Sequence, residues 1–229
     1  MPFELPIFPL GVVLFPGMPL PLHIFEPRYR LMIGRVLEKD RIFGVAWMVE
    51  GTEGERETWP AGVGTTARIT EVVPFADGRM NVQTIGKRRF QILSIREEDD
   101  TLVAQCEWLE DEPQHDLAQL SRQTRRALSR YFDAHALNSD TSTETDDLNV
   151  PQDPCALSLF IAGILQLPLQ QKQELLEMTD TRARLEIEDF LLERAMIIQL
   201  AFAKRTANGE STTTGDPSLG PMSGFASLN

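Results

Sequence analysis

The sequence predicts an α+β chain: a small antiparallel barrel or curled sheet carrying one helix, followed by a bundle of about four helices. Three observations predict it. From Arg41 to about Glu112 the apolar residues recur with period two, the mark of strands. From Leu117 onward they recur every three to four residues, the mark of helices. Within the first region the dipeptide Asp77-Gly78 separates two strand-like runs, a strong short-range hairpin signal.

Each element has its own justification. The opening "LPIFPLGVVLFPGMPLPLHIF", Leu5 to Phe25, contains no Asp, Glu, Lys or Arg and is long enough to raise the question of a membrane span. Pro9, Pro16, Pro19 and Pro21 would lie inside such a helix and cost about 3 kcal/mol each. The start "MPFEL" has no basic residue, so it does not read as a signal peptide either. The segment instead reads as strands "VVLF" and "PLHIF" around a type II turn at Pro16-Gly17, where proline presets φ and glycine accepts a positive φ. Pro27 behind Glu26 starts a helix running to about Glu38. "RIFGVAWMV" is a buried strand, and "TTARITEVVPFADGRMNVQTI" folds as a hairpin. A two-residue type I′ loop at Asp77-Gly78 pairs Phe75 with Met80 and Val73 with Val82 on one apolar face. "RRFQILSI" and "TLVAQCEWL" add two strands around a turn in "REEDD", the second with Leu102, Ala104, Cys106 and Trp108 on one face.

The helical part begins with the stripe Leu117, Leu120, Thr124, Leu128, Tyr131 and His135, with Arg122, Arg125, Arg126 and Arg130 off it. Residues 137–150 are polar and acidic and read as a flexible loop. Asp153 caps and Pro154 opens a helix too apolar around its girth to be exposed. "PLQQKQELLEM" is a short helix. The last helix runs from about Thr181 to Lys204 with Ile187, Leu191, Ala195, Ile198 and Phe202 on its buried face. The expected division is therefore a barrel over 1–114, a bundle over 115–205 and a disordered tail over 206–229.

Charge narrows the function. The net charge is −12, and residues 1–90 are nearly balanced with 11 basic and 10 acidic groups, so the acidity lies in the second half. Such a surface repels phosphate backbones and disfavours nucleic acid as the main partner. Cys106 and Cys155 stand far apart and outside metal spacing, as expected of buried thiols in a reducing, cytoplasmic setting. His23, His115 and His135 have no partner at metal spacing; His23, in an apolar strand, reads as a hydrogen-bonded structural residue. Phosphate-loop, dinucleotide and nucleophile-elbow motifs are absent from the sequence; "GVGTTARI" reads as a turn into a strand. "GKRRF" is the one basic cluster beside an aromatic. Lys87, Arg88 and Arg89 would meet RNA phosphates with Phe90 as a stacking platform, or else form a charged hairpin end with Phe90 in the core.

The opening "LPIFPLGVVLFPGMPLPLHIFEPRYRLMI" resembles the start of the Lon protease amino-terminal domain, in the version with "IFEPRY" found where that domain stands alone or is joined to unrelated modules. The resemblance continues through "FGVA", "GVGTTARITEV", "GKRRFQIL" and "LPLQQKQELLEMTDTRARLE", from about Leu5 to about Lys204. It implies a barrel related to the PUA domain followed by a helical bundle, and a part in recognising protein substrates. The ATPase and serine-lysine protease modules that follow in the full protease are missing from this sequence. The expectation is a non-enzymatic, cofactor-free module that binds polypeptide clients or a partner protein. Met48 and Trp59, large apolar residues in or beside a polar loop, are the expected contact points. An RNA-binding PUA-like domain is the second reading, and an enzyme without a recognised motif the third.

Overall fold

The structure is a computed structural model that describes residues 1–48, 60–136 and 150–207, with side chains to residue 201. Its elements are β1 (Phe3–Leu10), β2 (Pro19–Ile24), α1 (Pro27–Leu37), β3 (Ile42–Trp47), β4 (Val63–Pro74), β5 (Met80–Glu98), β6 (Thr101–Trp108), α2 (Ala118–Ala136), α3 (Pro154–Ile164), α4 (Leu169–Glu177) and α5 (Thr181–Ala207). The expected loop 137–150 and tail 206–229 lie almost wholly outside the described residues. The described chain forms two compact units, one of Met1–Glu112 with Ala162–Thr179, the other of Pro113–Ile161 with the chain from Asp180 on.

In the first unit the strands form one sheet in the order β2-β5-β4-β3-β1-β6, and β5 also pairs with β6. That extra pairing closes β1, β3, β4, β5 and β6 into a ring, with β2 laid beside the first half of β5. Every pairing is antiparallel except β1 with β3, which run parallel because β2 and α1 carry the chain back across the ring between them. The proline-rich opening is strand, as expected, but its first strand is "FELPIFPL" rather than "VVLF". The turn follows as predicted, with Gly17 at φ +83° and the Met18 N–H donating to the Phe15 carbonyl (3.1 Å). The "REEDD" turn is a two-residue hairpin loop, Asp99 and Asp100 both left-handed.

One core cluster packs Phe8, Leu14, Ile24, Phe43, Val45, Ile69 and Val82 around Tyr29, Met32, Ile33 and Val36 of α1. A second gathers Leu5, Ile7, Ala46, Phe90, Ala104 and Cys106. Gly64 sits where β4 crosses closest to its neighbours: a Cβ there would run into the Val45 carbonyl and the Phe90 ring. Gly64→Ala is expected to cost about 1–3 kcal/mol by overpacking, read as a lower urea midpoint at unchanged slope.

α4 groups with the strands, whereas a division at residue 114 assigns it to the helices. The reason is hydrogen bonding: Gln173 Nε2 donates to the Val63 carbonyl (3.0 Å), and Arg89 Nη1 donates to the carbonyls of Leu176 and Met178 (2.7 Å each).

In the second unit α2 packs along α5, burying Thr124, Ala127, Leu128 and Tyr131. Asp153 caps α3 as predicted, its carboxylate accepting from the Ala156 N–H (2.9 Å). The face of α5 is a correction. The structure buries Thr181, Arg184, Leu185, Glu188 and Leu192, and leaves Ile187 and Ile198 exposed. Counting apolar residues misleads here because two charged side chains find partners inside: Arg184 Nε donates to Ser158 Oγ (2.6 Å), whose hydroxyl donates to Glu188 Oε1 (2.9 Å).

Candidate functional site

The hairpin of β4 and β5 carries, with β2, the most exposed aromatic surface among the described residues of the first unit. Its loop has three residues rather than two. The Phe75 N–H donates to the Arg79 carbonyl (2.8 Å), the Gly78 N–H to the Phe75 carbonyl (3.0 Å), and Gly78 takes φ +84°. This is a type I turn closed by a left-handed glycine. The register therefore differs from the expected one: Val73 pairs with Asn81 and Pro74 with Met80. A one-residue slip exchanges the faces of a strand. Val82 goes to the core, and Val73 and Phe75 turn outward.

Across the sheet Asn81 also pairs with His23 of β2. Val73, Asn81 and His23 thus form one row, with Phe75 and Phe25 two residues farther along on the same face. Val73 is 47% exposed, Phe75 41% and Phe25 48%. The His23 ring lies 5.9 Å from Phe75 and 6.1 Å from Phe25 between centroids, so the three rings are contiguous. Its Nδ1–H donates to Asn81 Oδ1 (2.7 Å), the structural role expected of it. Arg79 lies over the Phe75 ring and pairs with Asp77 (2.7 Å). The Arg79 N–H and guanidinium hold the Asp77 carboxyl below its ordinary value. Arg30 packs against the open face of Gly78 and pins the tip.

The edges of this three-stranded face are closed. With Phe75 and Arg79 a bonded pair, residues 71 and 73 bond to β5, and residues 72 and 74 point their backbone outward. By the same alternation residues 20, 22 and 24 of β2 bond to β5, and residues 19, 21 and 23 point outward. Pro19, Pro21 and Pro74 occupy outward positions and have no N–H to offer, so neither edge invites a further strand.

Met48 and the basic cluster, singled out from sequence, fall elsewhere. Met48 is half-buried, bridged to Pro60, and its N–H donates to the Leu10 carbonyl (2.8 Å). It lies beside the start of β4, and Phe75 beyond its end, about 12 to 15 residues or roughly 40 Å of strand away. Trp59 lies outside the described residues. The basic cluster is split between interior and surface. Arg89 is buried, bonded to Leu176, Met178 and Asp111, and Phe90 is fully buried. Arg88 pairs with Glu110 and lies over Trp108, which stacks on Phe3. Only Lys87 of the three faces solvent unpaired.

Other chemistry is thin among the described residues. They hold no group of His, Cys, Asp and Glu suited to a metal, and no helix among them is long and apolar enough to cross a membrane. Burial pushes the Cys106 thiol up to about 11, so it is not a nucleophile at neutral pH. A groove floored by Leu5, Met32, Val36 and Val103 is rimmed by Arg96 with Glu4 and by Arg35 with Asp99, so most of its rim charges cancel one another. Sequence reasoning missed Val73, Phe75 and Phe25. The available signal was the placement of the prolines, which marks this face's edges as outermost.

Comparison with known proteins adds the family context. The model of the ATP-dependent protease La (LON) substrate-binding domain matches residues 4–194. The Lon protease of Escherichia coli (strain K12) is 29% identical over 208 residues, which are 90% of this chain and 26% of that protein. Lon protease 2 of Syntrophobacter fumaroxidans is 26% identical over 202 residues, 86% of this chain and 25% of that protein. The chain thus spans about a quarter of the length of these curated relatives. Among solved structures, a Lon N-terminal domain protein from Xanthomonas campestris is 26% identical with a TM-score of 0.57, covering 80% of this chain and 95% of that one. The N-terminal domain of Mycobacterium avium complex Lon protease, 20% identical, shares the fold with a TM-score of 0.63 over 83% of this chain and 98% of that one.

Proposed function

We propose, from the premise that this chain belongs to the LON substrate-binding domain family, that it binds unfolded polypeptide on the Val73–Phe75–His23–Phe25 face and acts by binding rather than by catalysis. The observation that carries this reading is the contiguous exposed aromatic surface at a pinned hairpin tip. Side chains of that kind, left in water by a fixed register, are what a non-specific grip on apolar segments requires. Arg79, over the Phe75 ring, adds donors for the client's carbonyls. Clients in cytoplasmic proteolysis or quality control belong to the same proposal.

The test is retention of a permanently unfolded, carboxymethylated protein. Phe25→Ser with Phe75→Ser is expected to weaken retention at least tenfold, about 1.4 kcal/mol or more, while the chain stays folded with a cooperative melting curve, because about half of each ring is already in water. A parent chain that neither retains such a client nor slows its aggregation defeats the proposal. Met48 and Trp59 remain as a second proposed contact, and Trp59→Ser in the same assay reads it. Nucleic acid is not favoured, since Arg89 and Phe90 are committed to the interior.

A further inference from the structure

The second unit carries a row of positive charge on α2. That helix holds four arginines against one acid, Asp133, in a chain of net charge −12. Arg125 is half-buried and donates to the Pro151 carbonyl. The other three, Arg122, Arg126 and Arg130, stand at exposed positions four residues apart and line one open trough with Gln119, Gln123 and Ser129. Four residues of helix rise about 6 Å, so the three side chains repeat at that spacing along one face. Arg130 folds back along the helix, its Nε donating to the Arg126 carbonyl (3.4 Å), which keeps its charge on the helix surface. Among the described residues neither Arg122 nor Arg126 has an ion pair, and Arg130 meets Glu193 of α5 only at 3.7 Å.

We infer that this row docks an acidic polypeptide segment whose carboxylates are spaced about one helical turn apart. The molecule displays the chemistry at one end of the row, where the group that reaches Arg130 is a carboxylate. Guanidinium forks take carboxylates in paired N–H···O bonds, and Arg122 and Arg126 hold that capacity uncommitted among the described residues. A phosphate backbone fits the row less well. Exposed aromatics on which bases would stack are missing from it, since Tyr131 is buried and Phe132 half-buried. Glu193, and Asp189 accepting from Gln123 Nε2 (2.6 Å), edge the row on its α5 side. A backbone charged at every unit meets repulsion there that separated carboxylates avoid. This docking is independent of client capture: it uses α2 of the other unit, and charge rather than rings.

Fluorescence anisotropy of a labelled Glu-Ala-Ala-Ala repeat peptide, about 20 residues long, titrated with the full chain tests this at about 50 mM salt, where charge pairs are little screened. A Kd of about 100 µM is expected, weakened at least tenfold at about 500 mM salt. Arg122→Glu with Arg126→Glu is expected to lower the affinity at least tenfold. Arg122→Gln with Arg126→Gln, which reverses no charge, gives the same reading with a smaller change should the glutamate variant fold poorly. A parent chain that leaves the peptide free at about 1 mM overturns the proposal. So does equal binding of the Gln-Ala-Ala-Ala counterpart, or a folded variant that binds as the parent does. Tighter binding of a uridylate oligomer of equal charge overturns it in favour of phosphate.

Discussion

Replacing Arg89 by methionine is expected to cost about 3–5 kcal/mol of stability, the scale for breaking a buried charge pair from one side. Three short bonds converge on its guanidinium: the carbonyls of Leu176 and Met178 and the carboxylate of Asp111, all at 2.7 Å. Arg89 and Asp111 are almost wholly removed from water. Methionine fills much of the volume but leaves two carbonyls and a carboxylate without their donor. Arg89→Lys keeps the charge and loses the planar fork that reaches three acceptors at once, so it is expected to recover less than half of the loss. Urea unfolding followed by tryptophan fluorescence reads both variants. A loss below about 1 kcal/mol for the methionine variant would show that water or rearrangement replaces the clamp.

The second large effect is a pH dependence carried by Glu188. Its carboxyl is buried in the second unit, and desolvation holds it well above its ordinary value of 4.5, outweighing the Ser158 hydroxyl and the Arg184 charge, which both pull it down. Oε2 has no hydrogen-bond partner, an arrangement less costly for a neutral acid than for a carboxylate. Between 4.5 and the raised folded value the folded chain holds a proton that the unfolded chain has released. Stability from this group is therefore full below about pH 4.5 and falls as pH rises through that window, by about 1.4 kcal/mol per pH unit. Glu188→Gln keeps the shape and the acceptor but cannot ionise. It is expected to be more stable than the parent at pH 8, with the difference shrinking toward pH 4.5. Paired urea titrations across that range read the difference directly, and a gap independent of pH would place the titration elsewhere.

Much of this architecture is legible in the chain. Periodicity finds the strands and the helices, Pro16-Gly17 gives its turn, and Asp153-Pro154 gives its helix start. These are local signals, settled by φ preferences and caps within a few residues. What escapes is decided by neighbours distant in sequence. The hairpin register hinges on whether Ala76 belongs to the loop, and that one residue moves Val73 and Phe75 from core to surface. The buried face of α5 escapes because Arg184 and Glu188 read as solvent-facing until Ser158, on another helix, is seen to satisfy them. The basic cluster "GKRRF" misleads for the same reason: Arg89 is spent on carbonyls more than eighty residues away. The candidate site was accordingly the least legible part, being assembled from three strands by their register.

The outward prolines at positions 19, 21 and 74 bear on what happens after a client is captured. An extended chain that finds a free strand edge can zip onto it, and the growing edge then recruits the next chain, which is how cross-β assemblies propagate. A surface that offers rings but no backbone donors at those positions holds such a chain by side chains alone. If clients bind here as proposed, capture on this face stays reversible, and the bound chain finds no growing strand edge to extend.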